Sequence, residues 1–381
     1  QKCEILDDFL MDANRMHGII RNNGVWFFDY QTGDSGLEWP KGSGKHPVLA
    51  AGQWISAKID ETVRVAVVRY GQSEFAPGKI IEPGLAQDAG QPIYRWYVLR
   101  PGDVGDWASW PIQQGAPVDE QGQPLLIGDL TAFSVYHDVR PHYEFETSPL
   151  NVEIRQLAVQ FDRVDALGDM IFFKWQITNK SDVAWDSTFF SIWMDSDLGY
   201  FADDFVGCDP ELGLGFIYNA TNNDSIYGTS PPAVGVAFLQ GPLIEAPGHS
   251  VDLPGGKTLL NTKMLTMNSF VYWNCDDSRY GCPTNARHVW RFQRGNYRDN
   301  SQILDNMRNP TTFMYDGDPE SGQGWIASDA SDKRFLMSIG KFPMPAWQDS
   351  NDNGLPDFGE PGVQEIVAAV IITRGTNNLN S

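Results

Sequence analysis

A chain of 381 residues with 41% hydrophobic and 12% aromatic content has ample apolar material to bury, which excludes a disordered chain and suggests two or three domains. Lysine and arginine number 28 against 49 aspartates and glutamates; the net charge of -21 opposes nucleic acid and anionic membrane surfaces and suits a medium rich in divalent cations. No apolar run approaches the roughly 18 residues of a bilayer-crossing helix, so membrane insertion is not expected.

The chain opens on Gln1, as a mature chain does after loss of a signal peptide, although a truncated chain opens the same way. EILDDFLMDANRM is compatible with a short helix. From His17 the pattern changes: GIIRNN, GVWFFDYQTG, HPVLAAGQWISAKID and ETVRVAVVRYGQ read as short strands parted by Gly, Asn and Asp turns. That rhythm predicts a first β-sandwich over 1–128. YRWYVLRPGDVGDWASWP is too rich in Pro and Gly for a helix, and its Trp96, Trp107 and Trp110 are candidates for stacking on sugars if exposed, or for core.

GAPVDEQGQPLLIGD marks a boundary, after which TAFSVYHDV, VEIRQLAVQFD, DMIFFKWQITNKS and VAWDSTFFSIWMD follow as strands of a second sandwich over 129–381. VGVAFLQGPLI, TLLNTKMLTMNSFVYW, RFLMSIGKF and QEIVAAVIITRG continue it. One helix is predicted at NARHVWRFQRG, capped by Thr284 or Asn285, with Val289 and Phe292 three apart and Gly295 as its stop. His288 on that helix has no second ligand at metal spacing and reads as packing or surface. The expected fold is all-β: two sandwich modules with at most one or two short helices.

The most informative stretch is Phe189 to Ala220, where the apolar strand FFSIW runs into five aspartates and returns as LGFIY. Asp195, Asp197, Asp203, Asp204 and Asp209 are pinned at the edge of a core. Carboxylates brought within about 4–6 Å repel unless one is protonated or a cation sits among them. Calcium, with six to eight hard oxygen ligands in a tolerant geometry, is the expected counter-ion; the plainer alternative is an acidic solvated loop.

A second calcium candidate is DSNDNGLPDFGE. Asp349, Asn351 and Asn353 stand at positions 1, 3 and 5 of an EF-hand loop, Gly354 at the sixth-position turn, the Leu355 carbonyl at 7, Asp357 at 9 and Glu360 at 12. The flanks PMPAWQ and PGVQEIV do not form paired helices, so the loop is expected to be structural, bare between strands. Of the four cysteines, the short loop from Cys275 to Cys282 makes that pair the expected disulfide, leaving Cys3 with Cys208.

No G-x-S-x-G, H-E-x-x-H, phosphate loop or C-x-x-C is present, so no catalytic residue is assigned. His137 and Asp138, with His142 nearby, are expected to close a strand into a turn. Paired acids for glycoside hydrolysis carry no sequence signature.

The blocks GVWFFDYQTGDSGLEWPKGSGKHPVLAAGQWISAKID, GDLTAFSVYHD, MDSDLGYFADDFVGCDPELGLGFIYN, PPAVGVAFLQGP, FMYDGDPESGQGW and KRFLMSIGKF resemble, in order, blocks of large secreted surface proteins of the type IX secretion system. The resemblance implies export through the outer membrane, without an established activity. The sorting domain of such proteins is not among these 381 residues, and the resemblance supplies no metal ligands. The expected function is that of a secreted, calcium-stabilised structural protein of the cell surface or matrix, self-associating as a surface layer, adhesin or filament. The alternative is a carbohydrate-binding module or glycoside hydrolase acting on extracellular polysaccharide.

Overall fold

Alternation of apolar and polar residues builds the strands that carry this molecule. In Met170–Asn179, Ile171, Phe173, Trp175 and Ile177 are buried while Met170, Phe172, Lys174 and Gln176 are partly exposed, the period of two that a sheet with one face in a core requires. The computed structural model describes residues 4–253, 256–275 and 281–381.

Two large antiparallel sheets result, each of nine strands once Leu37–Glu38 beside His17–Arg21 and Thr62–Ala66 beside Ala50–Ile59 are counted with the first and Tyr97–Leu99 beside Leu130–His137 with the second. The first runs Asp8–Met11, His17–Arg21, Val25–Trp26, Ala50–Ile59, Trp185–Asp195, Arg334–Met344 and Met267–Trp273. The second runs Ala76–Pro77, Leu130–His137, Val152–Gln160, Met170–Asn179, Val363–Thr373, Ala233–Gln240, Leu214–Asn219 and Asp204–Asp209. Trp26 of the first sheet stacks on Phe173 of the second at 4.3 Å between ring centroids, and Phe190 meets Trp175 at 5.1 Å. The all-β, sandwich-like expectation therefore holds.

Its division at residue 128 does not separate two cores. Ala50–Ile59 pairs with Trp185–Asp195, Tyr97–Leu99 pairs with Leu130–His137, and one contiguous apolar core runs from Met11 to Ile372. Turn rhythm reports where strands end; it is silent on which distant strand each one joins. Asp8–Met11, compatible in sequence with a helix, is a strand paired with His17–Arg21.

The predicted helix forms at Ala286–Gln293, with the Asn285 side chain accepting from the His288 N–H at 3.1 Å and Gly295 at φ +70° just beyond its end. Val289 and Phe292 are buried, and Phe292 stacks on Trp273. His288 hydrogen-bonds locally to Thr284.

Candidate metal centre

The Trp185–Asp195 strand lies between Ala50–Ile59 and Arg334–Met344, and its burial leaves little room for a polar terminus. Asp195, its last residue, is fully buried and sits opposite Arg334 in register. Two residues on, Asp197 turns back toward the same spot, and Asp332 arrives from the approach to the Arg334–Met344 strand. One oxygen from each of Asp195, Asp197 and Asp332 lies within 4.8 Å of the others.

Arg334 braces the group. Its Nε donates to Asp195 Oδ2 at 3.1 Å and to the Tyr70 hydroxyl at 2.8 Å, and its Nη1 donates to Asp332 Oδ2 at 2.9 Å. Oδ1 of Asp195 and Oδ1 of Asp332 are buried and have no hydrogen-bond partner among the described residues. A buried carboxylate oxygen without a partner is costly. The three aspartates can hold a metal ion: hard cations bind oxygen at about 2.3–2.6 Å, so the ligands around one lie within about twice that distance, as these do.

The electrostatics agree. Burial pushes the Asp195 carboxyl up to about 7; Arg334 opposes the rise, and Asp197 and Asp332 add to it. Burial likewise lifts Asp197 to about 6, with Asp332 reinforcing. Burial works against the charge of Arg334, but Asp195, Tyr70 and Asp332 outweigh it and hold the guanidinium firmly protonated.

The remaining aspartates of the stretch do other work. Asp204 is fully buried, accepts from the Leu198 N–H at 3.1 Å and so anchors the turn carrying Asp197; burial pushes its carboxyl well up. Asp203 accepts from Asn219 Nδ2 at 2.8 Å. Asp224 holds the same turn by accepting from the Tyr200 N–H, and a Cβ on Gly199, at φ +73°, would meet its Oδ1 at 2.3 Å, so glycine is required there. Asp209 is not part of the centre: its Oδ1 accepts from the Glu211 and Leu212 N–H groups and caps a β-turn.

In the 349–360 loop, Gly354 has the expected positive φ of 74°, and its N–H donates to Asp349 Oδ2 at 2.8 Å. The loop closes on its own hydrogen bonds. Asn351 and Asn353 both donate to Asp357 Oδ2, the Leu355 N–H donates to Asn353 Oδ1, and Glu360 accepts from Trp347 Nε1 and the Ser350 and Asp357 N–H groups. Among the described residues, Asp195, Asp197 and Asp332 form the grouping of three acidic ligands, and this loop contributes none of them.

Cys275 and Cys282 form the expected disulfide. Cys208 is a buried free thiol against the Met314 carbonyl, and Cys3 lies outside the described residues. Asp138 closes its turn by accepting from the Leu150 and Val152 N–H groups, with His137 and His142 buried beside it. Trp96 and Trp110 are core residues, and Trp107 packs against the smaller cluster around Tyr97 and Phe133.

Sequence reasoning missed Asp332 because it lies 137 residues along the chain from Asp195; the signal that finds it is the register of Asp195 opposite Arg334.

No protein-family model matches the chain, and no curated protein matches it. Among solved structures, an Escherichia coli protein described as a candidate aldose 1-epimerase is similar over 97% of this chain and 100% of its own, at 8% identity and a TM-score of 0.30. A likeness of that degree carries no argument about function.

Proposed function

We propose that the protein is a secreted, calcium-stabilised structural component of the bacterial cell surface or matrix, a surface-layer, adhesion or filament subunit. The observation that carries this reading is the meeting of buried Asp195 with half-buried Asp197 and Asp332, where Oδ1 of Asp195 and of Asp332 have no donor among the described residues. Oxygen-only ligands of this kind suit calcium, and extracellular modules bind it at concentrations that the exterior supplies. An ion there ties the end of one central strand to the start of its neighbour, a clamp on the fold with no chemistry to perform.

Two features support an exported role. The Cys275–Cys282 disulfide suits an oxidising compartment, and the resemblance to type IX secreted proteins supplies a route. Self-association finds a vehicle in the ribbon of Leu243–Asp252 and Thr258–Met264, a two-stranded sheet of its own whose outer edges offer backbone groups to another copy.

The test is equilibrium dialysis against millimolar calcium, with elemental analysis of the bound excess, combined with negative-stain microscopy. One calcium bound per chain and concentration-dependent polymers are expected. Calcium-free protein that stays monomeric at all concentrations overturns the reading.

A further inference from the structure

A cavity of about 440 Å³ opens beside the hairpin formed by Val68–Arg69 and Gln72–Ser73. Glu74 and Asn23, 5% and 3% exposed, lie at its depth, and Tyr143, 74% exposed, stands at its mouth. Between them sit two guanidiniums, each already matched: Arg69 with Glu144, and Arg140 with Glu4 at 3.1 Å. Glu74 is fixed by accepting from the Val67 and Glu144 N–H groups at 3.0 and 3.1 Å. We propose that this cavity binds a neutral saccharide.

Charge selects the class. With every guanidinium of the lining paired to a carboxylate, a phosphate, sulfate or uronate finds no uncompensated positive charge, and a net charge of -21 repels polyanions further. The one lining carboxylate without a guanidinium, Glu74, already accepts from two backbone N–H groups, so a cationic ligand finds no open carboxylate either. A sugar hydroxyl both donates and accepts, and a guanidinium beside a carboxylate offers adjacent donors and acceptors, so vicinal hydroxyls are matched without displacing either partner.

Shape adds to this. The volume falls in the range of about 300–1,000 Å³ typical of small-molecule sites, enough for a short saccharide. The Tyr143 ring, left in water by the fold, offers a flat apolar face to the C–H side of a pyranose while its hydroxyl stays wet. Because Glu74 is already held by two backbone donors, binding need not order it, which favours affinity.

The site does not depend on the cation reading, and the two fail separately. Its test is titration calorimetry of the intact protein with cellohexaose, maltohexaose, laminarihexaose and chitohexaose, and with polygalacturonate as the charged comparison, each in calcium and in chelator. Saturable binding of at least one neutral probe is expected, weakened about tenfold or more by Tyr143→Ala and by Arg140→Gln and unchanged by Phe201→Ala, whose ring does not line the cavity. Melting temperatures of the variants establish that they are folded; Tyr143 is exposed enough for its replacement to leave the fold intact. The proposal is overturned if none of the four neutral probes binds, if polygalacturonate binds in their place, or if Tyr143→Ala binds as the parent does.

Discussion

Withdrawing the cation should lower the melting temperature by an amount the structure allows to be worked out. An ion present at one hundred times its dissociation constant stabilises the folded state by about 2.7 kcal/mol. Unfolding entropy of about 2.1 cal/mol/K per residue gives roughly 0.8 kcal/mol/K for 381 residues, so the expected shift between calcium and chelator is about 3 °C. Scanning calorimetry resolves it. Asp197→Asn and Asp332→Asn should abolish the shift, since each removes one of the three ligands, whereas Asp349→Asn should keep it. Acidity supplies a second axis. Asp195 and Asp197, at about 7 and about 6 against an ordinary 3.8, bind protons more tightly folded than unfolded. In chelator their contribution is therefore most favourable below about pH 4 and is lost as pH rises toward 7, and calcium, competing with those protons, gains its stabilising effect over the same window. A parent protein that melts identically with and without calcium refutes the reasoning, as does a shift lost in Asp349→Asn and retained in Asp197→Asn.

Burial holds His137 down to about 4 from 6.5, with Arg140 adding to the effect, so its contribution to stability is complete above about pH 6.5 and is lost as pH falls toward 4. The loss amounts to about 3 kcal/mol; His137→Asn, which keeps an acceptor for the Val139 N–H, should be less acid-sensitive than the parent by that amount, and equal sensitivity in urea unfolding at pH 4.5 and 7 would count against it. Both ring nitrogens of the buried His142 face carbonyl oxygens, Val65 O at 2.7 Å and Asp138 O at 3.0 Å, with Glu74 and Asp138 carboxylates alongside. His142→Leu removes the ring N–H that serves these buried oxygens and should destabilise by about 1–3 kcal/mol in the same assay; an unchanged stability is incompatible with that account. Cys208 is buried and burial pushes its thiol up, so iodoacetamide should label it only after unfolding, as peptide mass spectrometry of native and denatured samples will tell.

Strand content, the helix at Ala286–Gln293, the Cys275–Cys282 bridge and the turn at Gly354 were all legible because each is set by residues close in sequence. Asp195 and Asp197 were legible for the same reason, as acids ending a buried strand. What the sequence concealed is non-local. Asp332 joins the centre only because Arg334 lies opposite Asp195, and Ala50–Ile59 merges the two expected modules only because it borders Trp185–Asp195. The 349–360 loop carries a good metal-loop pattern, yet its amide groups spend themselves on Asp357 and its glutamate on backbone and indole donors. A spacing pattern specifies which oxygens can converge; the local hydrogen bonds decide what they converge upon.

The two sites share one mechanical element. The Val68–Ser73 hairpin sends Tyr70 to the cation centre, where its hydroxyl accepts from Arg334, and sends Arg69 and Ser73 to the cavity. Tyr70 is also wedged edge-on against Trp193 at 5.3 Å, and Trp54 Nε1 donates to the Val68 carbonyl at 2.6 Å, so the hairpin is moored to the first sheet from both sides. Arg334 bonds Oδ2 of Asp195 and of Asp332, so an ion taking their partnerless Oδ1 atoms leaves those bonds in place, and Arg334 is what Tyr70 holds. Arg334 and Tyr70 thus join the three aspartates to the hairpin that walls the cavity through one guanidinium and one phenol, whether or not an ion is bound.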